Sequence, residues 1–200
     1  MVKKIIKRVM SIIVSTMLIV NLSANVFAME SNFKTKPDFA ISTTSLQEGI
    51  KNKSVGDVIK INQSTGVVLS KQLIEETEDS SFEITLIKLN ADSAIRTRSK
   101  TQTDLYVAIG NHTYTTGNYA AYLYGTFYYD SSSVEVATKA YGWSSNSNIF
   151  RFHNYSESEN FFTHSRTLKL NYGNLSGLGW RDYTISLTCT TAGNVSASGF

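Results

Sequence analysis

The stretch Arg181-Asp182-Tyr183-Thr184-Ile185-Ser186-Leu187-Thr188-Cys189-Thr190 decides the fold class, because it alternates without a break. Tyr183, Ile185, Leu187 and Cys189 fall on one side of an extended chain. Asp182, Thr184, Ser186, Thr188 and Thr190 fall on the other. Side chains of a strand point alternately to opposite faces, so a period of two with one apolar side marks an antiparallel strand buried on one face.

Shorter runs of the same kind occur at 105–109, 119–129, 134–141, 148–153, 162–170 and 195–197. Turn-forming residues separate them at Gly110-Asn111, Gly117-Asn118, 130–133, 144–148, 154–160, 172–179 and Gly193-Asn194. About seven short strands at this spacing predict a mainly β protein. Over 104–200 the expectation is an antiparallel β-sandwich, immunoglobulin-like in outline, with a partly closed barrel as the alternative.

Upstream the composition changes. Residues 29–95 carry 17 charged groups and only three aromatics, Phe33, Phe39 and Phe82. Residues 101–200 carry 11 charged groups and 19 of the 23 aromatics, with every Tyr and both Trp. The first segment reads as a small α+β leader or pro-segment. Strands are expected at 56–62 and 66–70 around a turn at 63–65, a short helix at 70–77 capped by Ser70, and a strand at 82–89. Alone, a unit of this size would be marginally stable. Between the halves, 96–103 is polar and aperiodic and reads as a basic linker. Arg96 and Arg98 make it a candidate processing site, since exposed basic loops are where trypsin-like proteases cut.

The chain opens on a cationic stretch, Lys3, Lys4, Lys7 and Arg8, followed by an apolar core at 9–20 and short residues at Val26 and Ala28. This three-part pattern predicts a secretory signal peptide over 1–28, cleaved after Ala28. Spanning a bilayer takes ~20 apolar residues, more than the core supplies. Removing the segment takes four of the 19 basic residues, leaving 15 basic against 16 acidic groups, a net charge of −1. That balance argues against nucleic acid or an anionic surface held by charge. A single cysteine, Cys189, precludes an internal disulfide, and no disulfide-linked partner is expected.

Candidate chemistry is sparse. Cys189 shares the parity of Ile185 and Leu187, which places it on an apolar face as a small hydrophobe rather than a thiolate nucleophile. The histidines His112, His153 and His164 lack the close pairing of a zinc site. His112 is expected in a turn, His153 at a strand end, and His164 on an inner face with Phe162, Leu168 and Leu170. Glu157 and Glu159 read as solvated loop carboxylates. No catalytic residue, metal ligand or cofactor is predicted, and the chain is read as a non-enzyme. The aromatics Tyr122, Tyr124, Tyr128, Trp143, Tyr155 and Trp180, set among Ser, Thr and Asn, form the candidate binding surface. Such rings suit sugar stacking, protein contact and membrane interfaces alike.

Three segments give the chain a family likeness: Arg96-Thr97-Arg98-Ser99-Lys100, Tyr122-Leu123-Tyr124-Gly125-Thr126-Phe127, and Trp180 through Thr190. In layout and texture it resembles secreted Gram-positive β-rich proteins, among them large bacteriocins of the geobacillin type. The resemblance implies a secreted protein that binds a bacterial surface component, whether glycan, protein or lipid, as an antimicrobial or competition factor. It assigns no functional residues. The alternatives are a carbohydrate- or wall-binding module that does not kill, and a hydrolase whose site carries no motif.

Overall fold

A computed structural model describes residues 43–61, 64–89, 100–114, 117–144, 150–173 and 180–200, all within one compact unit. The signal segment with Ala28, and the processing candidates Arg96 and Arg98, lie outside the described residues. The chain is mainly β. A helix, α1 (Thr43–Ile50), precedes β1 (Val58–Ile61), β2 (Ser64–Glu76), β3 (Ser80–Leu89) and β4 (Thr101–Gln102). Then follow β5 (Leu105–Tyr114), β6 (Gly117–Tyr129), β7 (Val134–Trp143), β8 (Phe150–Glu159), β9 (Thr163–Gly173), β10 (Trp180–Thr190) and β11 (Val195–Ser198).

Two antiparallel sheets result. One runs β1-β2-β3-β5-β6-β7, with β4 beside the far end of β6, and the other runs β8-β9-β10-β11. β4 continues the edge that β5 occupies. Thr103, between them, donates its amide to Phe127 O at 2.8 Å and accepts the Phe127 amide on its hydroxyl at 3.0 Å. Apart from β4, each strand pairs with its neighbours in sequence within its own sheet, and the chain changes sheet between β7 and β8. The described strands therefore form two meanders, without the Greek-key crossings of the immunoglobulin outline expected above.

The sheets pack on one another through side chains of alternating parity. Phe82, Ile84 and Leu86 of β3, Ala108 of β5, and Leu123 and Phe127 of β6 meet Leu168 and Leu170 of β9 and Tyr183, Ile185, Leu187 and Cys189 of β10. The β10 residues that alternation placed inward are all buried. The outer face of the larger sheet is buried as well. Ile87, Leu89, Val107, Ile109 and Tyr122 lie there, with Leu46 and Ile50 of α1 and Ile59 and Ile61 of β1 also buried. Gln47 of α1 donates to Asn111 of β5 at 3.2 Å, fixing the helix on that side. A strand buried on both faces reads as a continuous apolar run, which is why β6 from Ala120 to Phe127 shows no alternation in burial.

Four expectations change. The division at 96–103 does not separate two cores: β3 pairs with β5 from Ser80↔Tyr114 to Leu89↔Leu105, so both compositional halves share one sheet. The helix expected at 70–77 is strand. Pairing with β3 and the Lys71–Glu83 ion pair at 2.9 Å hold it extended, through bulges at Val68/Ser70 and Leu73/Glu75. The turn expected at Gly110-Asn111 lies inside β5. A Cβ on Gly110 would come within 2.8 Å of Ile185 Cγ1, so this glycine serves close approach of the two sheets. The loop expected at 154–160 is largely β8, paired with β9 as far as Glu159↔His164.

Candidate functional site

A cleft of about 440 Å³ opens where the end of β2 meets the start of β10, lined by Glu75, Arg181, Asp182, Tyr183 and neighbours. A second hollow of about 220 Å³ shares Arg181 and Tyr183 and extends the site to Tyr114, Tyr172 and the β2–β3 turn at Thr77–Ser80. Strand register places these groups. Glu75 sits at the outer end of β2, just past the bulge at Leu73/Glu75, which sets its position on the strand. Tyr183 and Tyr172 face inward from adjacent strands, while Arg181 stands at the mouth with its side chain 67% exposed.

Two groups converge on one carboxylate. Tyr183 Oη donates to Glu75 Oε2 at 2.7 Å, and Arg181 Nη1 donates to Glu75 Oε1. Burial, then the hydrogen bond to Glu75, raises the Tyr183 phenol well above its usual range. Behind them is an aromatic bed. His112 stacks on Tyr172 with ring centroids 3.8 Å apart and meets Tyr183 edge-on at 5.2 Å. The His112 nitrogens and the Tyr172 hydroxyl are buried and have no protein hydrogen-bond partner. Burial pushes His112 down to about 4, partly offset by the charge of Glu75, and pushes Tyr172 up to about 12. His112 is thus neutral in a core, not in a turn as expected. Four carboxylates line the two hollows, Glu75, Glu78, Asp79 and Asp182, against the one cation Arg181.

The aromatics singled out from sequence fall at four places. Tyr122 and Tyr124 lie on the outer face of β6, 8% and 3% exposed. Tyr128 is half-buried beside β4. Trp143 and Tyr155 come together at the seam between β7 and β8. There Tyr141 stacks on Tyr155 at 4.6 Å and Trp143 on Phe152 at 5.0 Å, with planes within 24° of parallel. Each pair spends a ring face on its mate, so the seam staples the two edge strands and leaves little free face for a sugar. The backbone of Trp180 pairs with Gly173 at the end of β10 nearest the cleft.

Beside the seam lies a charge cluster that alternation did not reveal. Arg166 of β9 has a fully buried side chain. It donates from Nε to Tyr155 Oη at 2.8 Å, from Nη1 to Tyr124 O at 2.8 Å and from Nη2 to Ala140 O at 3.4 Å. Glu157 accepts from Lys139 at 2.7 Å and from Tyr155. Burial raises its carboxyl, but these bonds and the nearby cations outweigh it, and the net shift is downward. Both histidine nitrogens of His164 lie beyond hydrogen-bonding reach of the carboxylates, 3.6 Å from Glu157 and 3.7 Å from Glu159. Glu157 is therefore an integral ion-pair partner, contrary to the solvated loop expected for it. His164 does face inward, as its parity predicts. His153 stands within β8, beside its bulge, with Nδ1 3.5 Å from Asp182.

Cys189 is fully buried and burial pushes its thiol up to about 12, the reverse of nucleophile activation. Among the described residues no group of three or more His, Cys, Asp or Glu is placed to hold a metal ion. No family model, curated protein or solved structure matches the chain.

Proposed function

We propose that the protein is exported and works by binding at a bacterial surface, as an antimicrobial or competition factor, with the Glu75–Arg181–Tyr183 cleft as its recognition site. The observation that carries this reading is the Tyr172 hydroxyl. It is buried without a protein partner in a hollow contiguous with a cleft where a carboxylate, a guanidinium and phenols converge. Buried polar groups are nearly always satisfied, so a hydroxyl unpaired within the protein beside a cleft is free to bond a water or a ligand that enters there. Carboxylate oxygens and a guanidinium for hydroxyls, with the half-buried Tyr114 at the second hollow, suit a saccharide. The excess of lining carboxylates repels polyanions, so the ligand is a neutral or amine-bearing surface glycan.

The proposal is tested by adding secreted protein and its Glu75→Gln variant to cultures of related Gram-positive strains. The parent should bind cells and slow growth, and the variant should need about tenfold more protein for either effect. Equal effects from both would remove the cleft from the account.

A further inference from the structure

The β8–β9 turn at Asn160–Thr163 carries Phe161 and Phe162 side by side, 84% and 71% exposed. No other consecutive pair of large apolar residues among the described ones is comparably exposed. The turn's backbone is already paired. Asn160 N donates to Thr163 O at 2.9 Å, and Asn160 Oδ1 accepts the amides of Phe162 and Thr163, each at 2.9 Å. Phe162 O accepts from Thr191 N at 2.9 Å, which ties the tip to the neighbouring β10–β11 turn. That turn is likewise closed internally, through Thr190 N to Asn194 O at 3.0 Å and Gly193 N to Thr190 O at 2.8 Å. Residues 160–163 and 190–194 contain no ionisable side chain.

We propose that this tip enters the interfacial region of a lipid bilayer, with Phe161 and Phe162 as its anchors. Entering an apolar phase is costly for unpaired backbone groups and for charges, and this tip shows neither on the atoms named. A protein partner is the less economical occupant, because protein interfaces draw on hydrogen bonds at their rims and most of these turn amides are spent. The charges beside the tip are of both signs, with Lys100 within electrostatic reach of Asp130. Glu159 ends β8, and Asp130 stands in the turn after Tyr129, whose ring packs on Gly193. The tip therefore partitions by apolar burial and gains nothing from anionic headgroups. The anchors and the cleft occupy opposite ends of β9 and β10, roughly 30 Å apart at ~3.3 Å per strand residue. A molecule standing on a bilayer would hold its cleft away from the lipid. The inference does not rest on the cleft reading.

The test is sedimentation of protein recovered from culture medium with protein-free vesicles of phosphatidylcholine, alone or with phosphatidylglycerol. The Phe161→Ser/Phe162→Ser double variant is run in parallel. Both side chains are exposed, so its melting curve should match the parent's. The parent should partition alike into both compositions and in about 0.5 M salt, where charge attraction is screened. The double variant should partition at least about tenfold less. Glu75→Gln should sediment as the parent does, which separates this test from that of the cleft. Equal partition of parent and double variant overturns the inference. So does a parent that ignores vesicles yet binds cells, or one that needs phosphatidylglycerol and is released by salt.

Discussion

Arg166 of β9 donates from Nη1 to the main-chain oxygen of Tyr124 on β6 at 2.8 Å, so a fully buried guanidinium crosses from one sheet to the other. Gly125 makes the approach possible. A Cβ there would lie 2.7 Å from Arg166 Nη1 and would also collide with the Thr138 carbonyl. Arg166→Leu keeps apolar volume but strands the Tyr124 and Ala140 carbonyls and removes a cation from Glu157. It should cost about 3 kcal/mol in urea unfolding. A loss under about 0.5 kcal/mol would show that the guanidinium contributes nothing net.

Gly125→Ala should cost about 1–3 kcal/mol by overpacking. Its effect should couple with Arg166→Leu, because the shorter apolar side chain removes one of the two collisions. Double-mutant unfolding measures this directly. Strict additivity would mean that the two positions do not share space.

Acid should weaken the fold through His112. Its folded value of about 4 lies below the ordinary 6.5, so between these values the unfolded chain binds the extra proton. The stability is fully present above about 6.5 and declines as the pH falls toward 4, by about 3 kcal/mol in all. His112→Phe keeps the aromatic stacking and should flatten urea midpoints across this window. An unchanged slope would assign the acid sensitivity to other groups.

Cleavage anywhere between Leu89 and Lys100 should leave two fragments that co-elute under native conditions and separate only in denaturant. The physical cause is the β3–β5 ladder, which joins them across ten residue pairs. Free release of a folded C-terminal fragment would show that this ladder is dispensable.

The strands were legible in proportion to how one-sided their burial is. β10 alternates because its outward face carries Ser, Thr and Asp, and Ser186 and Thr188 bond to Thr167 and Ser165 of β9 across that face. Over 70–77 Lys71, Glu75 and Glu76 suit a helix locally, whereas the pairing that holds the segment extended as far as Glu76 comes from β3. The aromatic surplus points to a binding surface only while a single core is counted. Tyr122 and Tyr124 are absorbed on the outer face of β6. The cleft has no signature in the sequence, since Glu75 and Arg181 lie 106 residues apart on different sheets and only the packing of one sheet on the other brings them together. Arg166 shares the parity of His164 and Leu168, and a cation at an inward position was the one signal that could have marked the cluster.

Recognition of a neutral or amine-bearing glycan is the role proposed for the Glu75–Arg181–Tyr183 cleft. Its most direct test is a calorimetric titration of the protein with glucosamine oligosaccharides, N-acetylglucosamine oligosaccharides and a polyanionic glycan. The first two should bind and the polyanion should not. Glu75→Gln and Tyr183→Phe should each weaken binding about tenfold, the worth of one hydrogen bond to a charged group, without lowering the melting temperature by more than a few degrees. Binding of the polyanion alone, or saccharide affinities unmoved by both variants, would contradict the claim.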